Sequence, residues 1–243
     1  MIKWWIEELI KKGKIMSHII LLGDSIFDNG VYVGSGEPDV TQQIKNKLNE
    51  NSKITRLAID GDVTDGVKDQ LRSIPDDATH LFLSVGGNDA LGDIGILREK
   101  VDIAGEALMM LNVKREIFEK KYSMMLDTVL EANLPTTICT IYYPRFNSTN
   151  LDRVESHLGN GAINKKYVDS LQQAAMSALA VYNDVIIKQG AERGLPILDL
   201  RVLCNDDQDF ANPIEPSAIG GEKIASKIYN IVNNSTQSTQ FYS

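Results

Sequence analysis

Two cysteines, three histidines and seven prolines are all that 243 residues contain of these types. Cys139 and Cys204 fall at segments that read as a strand and a strand end. They are expected as small buried thiols, and neither a disulfide framework nor a thiolate metal site is available. No apolar run is long enough to cross a bilayer. Basic residues are outnumbered, with 25 Lys and Arg against 33 Asp and Glu, a formal net charge of −8. That balance excludes nucleic acid and anionic membrane surfaces as the main partner. No phosphate-cradling glycine pattern occurs, since Gly34 and Gly36 lack the residues that a dinucleotide site needs after them. Asp206, Asp207 and Asp209 lack a glycine-containing ligand loop and read as a solvated acidic turn, so neither metal nor cofactor is expected. Near the N-terminus, Trp4-Trp5-Ile6 is broken by Glu7-Glu8, which leaves no signal-peptide core. Residues 1–16 are expected as an extension, with Met16 a natural alternative start, and the protein is expected in the cytoplasm.

What is present suits one domain with a sizeable core, at 43% hydrophobic and 24% charged residues. Apolar, β-branched runs at 18–22, 54–59, 80–85, 136–143 and 196–200 read as strands. Helical patterns lie between and after them, near 39–50, 64–73, 105–132, 164–193 and 217–232. Pro38, Pro75, Pro135 and Pro196 mark the boundaries. Such alternation specifies an α/β fold whose mainly parallel sheet is covered on both faces, over residues 17–234. The pairs Met109-Met110 and Met124-Met125 are expected as core filler on the long helix, and the polar tail 235–243 is expected to be disordered.

In an open parallel sheet, ligands bind beyond the carboxyl ends of the strands. Gly23-Asp24-Ser25 follows the first strand, Asp60-Gly61-Asp62 the second, and Gly86-Gly87-Asn88-Asp89 the third. Acyl transfer from an ester needs a nucleophile, a proton acceptor and donors aimed at the developing oxyanion. Ser25 stands where a helix is expected to start, so its own N–H would lie in the field of that helix N-terminus. Gly61 has no side chain to keep its N–H from a ligand, and Asn88 brings an amide donor.

These blocks, GDS, the glycine of AIDGDVTDG and GGND, resemble the first three blocks of the SGNH (GDSL) hydrolases, which are esterases, lipases and carbohydrate deacetylases. The resemblance runs from about residue 17 to 232 and implies a flavodoxin-like, three-layer α/β/α sandwich with a five-stranded parallel sheet. It implies Ser25 as nucleophile, and Gly61, Asn88 and the Ser25 N–H as oxyanion donors. The substrate would be a small ester or acylated molecule. The fourth block departs from the family: ANPIEPSAIGG places Glu215 where the family has histidine and Asn212 where it has aspartate.

His18 and His80 open their strands at the far edge, so they are excluded as the base. Glu215 and His157, the latter in the long connection after the fourth strand, are the candidates. Glu215 has a bland alternative, capping the helix that starts near Ser217 or pairing with Arg145. Tyr143 and Arg145, at the end of the fourth strand, are candidates for substrate contact, and of Tyr142 and Tyr143 one must face a helix. The competing reading is a protein that keeps the pocket but has lost hydrolysis. Oligomeric state stays open.

Overall fold

The computed structural model of the protein describes residues 16–146, 165–234 and 240–242. Six parallel strands form one sheet in the order β2-β1-β3-β4-β5-β6. They are β1 (His18–Gly23), β2 (Lys53–Arg56), β3 (His80–Ser84), β4 (Thr136–Cys139), β5 (Ile197–Leu198) and β6 (Phe241–Tyr242).

The uninterrupted apolar run of β1 has a direct cause: both faces of the strand are buried. Ile19 and Leu21 belong to one core, with α1 (Val40–Lys47) and α7 (Ala218–Asn234) packed over it. Ile20 and Leu22 belong to the other, beneath α2 (Val67–Leu71), α4 (Ala104–Leu130) and α5 (Lys165–Glu192). Successive side chains alternate between faces, so one strand feeds two cores. Two short helices complete the set, α3 (Gly87–Gly92) after β3 and α6 (Leu200–Leu203) after β5. The result is the three-layer α/β/α sandwich expected.

Four details differ from the sequence reading. The sheet has six strands, because Phe241–Tyr242 in the tail pairs with Ile197–Leu198. β2, β4 and β5 stop early, and after β4 and β5 side chains take over from the ladder at the site's edge. The Ile141 N–H, for example, donates to Asn183 Oδ1 at 2.7 Å. Met109, Met110 and Met124 are exposed and only Met125 is buried, since neighbours on a helix point about 100° apart and cannot share one core face. Asp209 is not solvated. It is fully buried, accepts from the N–H groups of Asn205 and Asp206, and lies 2.8 Å from Lys223 Nζ, closing its turn as a cap. Asp206 and Asp207 remain exposed. Among the described residues, no three His, Cys, Asp or Glu are grouped to hold a metal. No described helix is long and apolar enough to cross a membrane.

Candidate active site

β1 ends where Gly23 turns the chain at φ +123°, a conformation that disfavours side chains. A Cβ there would lie 1.8 Å from the Ser84 carbonyl oxygen. Glycine is required because β1 and β3 approach so closely at their carboxyl ends. Gln70 then clamps the turn: its Oε1 accepts from the Gly23 N–H and its Nε2 donates to the Gly23 carbonyl, each at 2.8 Å. The same Nε2 lies 2.6 Å from Asp62 Oδ2, tying the first turn to the second. Nothing in the sequence marks Gln70 for this role.

No full helix follows Ser25, contrary to the sequence reading. The chain makes a single turn, with the N–H groups of Phe27 and Asp28 both donating to the Asp24 carbonyl. α1 begins only at Val40, behind Asp39 as its cap. Asn29 holds the intervening loop. Buried completely, it accepts from the Val40 N–H and donates to the Pro216 carbonyl at 3.2 Å. Asn29 lies inside the GDSIFDNG stretch, so proximity to the serine was its only sequence signal.

The chain segment anchored by that bond carries Glu215. Asn212 Oδ1 accepts from the N–H groups of Ile214 and Glu215, each at 3.0 Å, which curls the segment into an Asx turn. Ser217 Oγ caps α7 by accepting from Ile219 and Gly220, so Glu215 is not the helix cap. It faces Ser25 instead: Ser25 Oγ–H donates to Glu215 Oε1 at 3.1 Å, in a buried contact spanning 190 residues of sequence.

Burial pushes the Glu215 carboxyl up to about 7, opposed by the bond from Ser25 and reinforced by the Asp60 charge. Its Oε2 is buried without a hydrogen-bond partner among the described residues. Asp24 is also buried, and burial carries it up to about 8, against the bond from the Ile26 N–H and with the Glu215 and Asp89 charges adding to the rise. Acids are therefore crowded at the site, and the carboxylate acting on Glu215 is Asp60. That residue takes a 2.8 Å hydrogen bond from Tyr32.

Asn88 Nδ2 donates to the Asp62 carbonyl at 2.9 Å, and an amide nitrogen carries two hydrogens, so one remains for a ligand. Gly61 forms an exposed turn at φ +82°, with nothing within 4 Å of where a Cβ would stand. Asp89 Oδ2 accepts from Thr64 N–H and Oγ1 at 2.9 Å, binding the second and third turns together. Ser25, Asn88 and Glu215 line one cavity of about 110 Å³, whose walls are otherwise mostly apolar.

Tyr143 and Arg145 are not in that wall; Tyr142 is, and its OH donates to the Ile214 carbonyl at 2.5 Å. Alternation along the chain sends Tyr143 to the other side, towards Arg201. Arg145 does not pair with Glu215. Its guanidinium donates to the Asn205 carbonyl and sits 6.0 Å from the Phe210 ring centre. His18 lies at the opposite edge, 2.7 Å from Asp77 and 2.8 Å from Thr55. His157 is outside the described residues.

Three turns at one sheet edge, a serine bonded to a buried carboxylate and an amide donor beside them define a hydrolase-type site. The family model of the GDSL-like lipase/acylhydrolases matches residues 21–220, and the chain belongs to that family. Solved structures agree on the fold. The extracellular lipase of Streptomyces rimosus is 19% identical, with 90% of this chain and 100% of that one covered, at a TM-score of 0.57. The lipase Lip_vut3 from a goat rumen metagenome is 19% identical over 89% and 97% of the two chains, with a TM-score of 0.61. The acetyl xylan esterase AlAXEase is 18% identical over 88% and 99%, with a TM-score of 0.57. No protein of curated function matches the sequence.

Proposed function

We propose that the protein is a serine hydrolase of small carboxylic esters that uses Ser25 as nucleophile and Glu215 as its base. The observation that carries this reading is the 3.1 Å bond from Ser25 Oγ to Glu215 Oε1 in the wall of a cavity. In the proposed cycle, ionised Glu215 takes the Ser25 proton as Oγ attacks the ester carbonyl, giving a tetrahedral oxyanion and neutral Glu215. The Asn88 amide and the main-chain N–H groups of Ser25 and Gly61 stabilise that oxyanion. The proton passes from Glu215 to the departing alcohol, leaving an acyl–Ser25 ester. Water then attacks the acyl group, giving its proton to Glu215, and Ser25 recovers a proton as the acid leaves.

A base that becomes neutral on protonation gives the oxyanion no cationic neighbour, unlike an imidazole. Esters of good leaving alcohols are therefore the favoured substrates. Treatment with a fluorophosphonate, read by intact mass, tests the nucleophile without requiring the natural substrate. Stoichiometric labelling that vanishes in Ser25→Ala supports the reading. An unlabelled, folded wild type supports a binding protein in its place.

A further inference from the structure

The cavity continues well past the reacting groups. From Ser25 and Asn88 its wall runs along α3 and the following turn, past Ile94, Leu97, Leu111 and Leu179. Leu111 packs against the core beneath α4 and α5, while Ile94 and Leu97 gather with Leu171 and Phe146 in a separate small cluster. A polar cluster also lies in the wall. Asp93, which caps the end of α3, accepts from Tyr182 OH at 2.7 Å and lies 2.6 Å from Lys114 Nζ. Three separate helices thus contribute one side chain each to a closed ion pair and hydrogen bond, beside an apolar passage.

Both ends constrain what fits. Asp24 and Glu215 make the reacting end acidic, which disfavours an anionic chain. At the other end Lys114 is already neutralised by Asp93. The five residues from Asn88 to Asp93 advance about 7.5 Å along a helix. An extended alkyl chain, with bonds of about 1.5 Å, covers that distance in roughly six carbons. The volume is of the right order: about 110 Å³ here, beside roughly 150 Å³ for an apolar cavity that accepts a six-carbon ring.

We propose that this cavity receives the acyl chain of the substrate as a neutral, unbranched alkanoyl group of about six carbons, with the Asp93–Lys114–Tyr182 cluster setting its length. The inference rests on the ester-hydrolase reading of Ser25. It adds the side of the ester that is recognised and three specificity-determining residues. Each methylene buried before the cluster is reached raises kcat/KM about fourfold, and the gain stops where the chain meets the ion pair.

The test is a series of p-nitrophenyl esters from acetyl to dodecanoyl, measured with wild type, Lys114→Ala and Ala178→Leu, each confirmed as folded by thermal melting. Ala178 lines the same passage. The expected wild-type optimum falls near hexanoyl. Lys114→Ala raises the decanoyl-to-hexanoyl ratio of kcat/KM by about tenfold or more, the weight of two or more methylenes. Ala178→Leu moves the optimum to shorter chains. Intact turnover with no length optimum, or with the same optimum in all three proteins, overturns the inference and leaves the hydrolase reading standing. A wild type that cleaves no ester overturns the hydrolase reading instead. Calorimetry with N-methyl alkanamides of graded length then decides the cavity: affinity peaking near six carbons upholds the chain site, and no length dependence removes it.

Discussion

Replacing Glu215 by glutamine separates chemistry from stability, because the two must move in opposite directions. The amide keeps the size of the side chain and can still accept from Ser25 Oγ, but it cannot take the proton. Loss of a general base costs about 10²- to 10⁴-fold in rate. The wild-type rate should also follow the ionisation of Glu215, which burial places at about 7. The active fraction is then about a tenth at pH 6 and about nine-tenths at pH 8, a roughly tenfold rise that the variant lacks. p-Nitrophenyl hexanoate hydrolysis between pH 5 and pH 9 measures both effects.

Stability supplies the opposing sign. The folded-state value of about 7 lies above the ordinary 4.5, so the folded protein binds the proton more tightly than the unfolded chain. The contribution is present in full below about 4.5 and is lost as pH rises through about 7. Above that range the buried carboxylate costs the fold about 3 kcal/mol, which glutamine does not incur. The variant should therefore melt about 6–10 °C higher than wild type at pH 8.5, with the gap closing by pH 4. Asp24 reinforces the trend, because the Glu215 charge helps to raise it to about 8. A Glu215→Gln protein that keeps more than a tenth of the wild-type rate at pH 8 would refute the role of base. A melting gap independent of pH would refute the burial argument.

Other perturbations have equally defined outcomes. Ser25→Ala should abolish turnover and fluorophosphonate labelling, with circular dichroism unchanged. Gly23→Ala drives a Cβ to 1.8 Å from the Ser84 carbonyl oxygen at a positive φ, so at least ~3 kcal/mol of stability is lost, read by urea unfolding. Gln70→Ala strands both backbone groups of Gly23, at about 1–3 kcal/mol for each unpaired buried group, with a matching fall in Tm. Asn212→Ala removes two bonds that hold the Glu215 segment. It should lower kcat about tenfold and move the acid limb of the pH profile, with KM little changed.

The sheet was legible because its signals are local. The run Ile19-Ile20-Leu21-Leu22 is apolar throughout since each side chain enters one of two cores, and no polar alternation survives such burial. The turns after β1, β2 and β3 were legible for the same reason, each a glycine-bearing stretch directly after an apolar run. Residues that act over distance carried no such sign. Gln70 reaches Gly23 across 47 positions and Asn29 reaches Pro216 across 187, and neither residue type is unusual in a helix or a turn. The edge strand Phe241–Tyr242 was hidden because two residues give no periodicity to read. The exposed methionines of α4 were misjudged because residue type alone does not say which way a helix faces.

Glu215 stands between these two cases. Its place opposite Ser25 was readable from the motif, but its raised proton affinity was not, because an exposed carboxylate near 4.5 and a buried one near 7 are the same letter. The difference is made by its surroundings: desolvation and the charge of Asp60 raise it, against the pull of the one donor from Ser25. Asn212 shows the complementary change. Its oxygen is committed to the backbone N–H groups of Ile214 and Glu215, and those bonds shape the turn without touching the carboxylate. A histidine relay needs an aspartate to orient the ring and to stabilise its cation. A carboxylate base forms no cation, so no partner charge is needed at position 212. Under the mechanism we propose, a neutral side chain that builds the turn is sufficient there, and the two departures from the family pattern amount to one change.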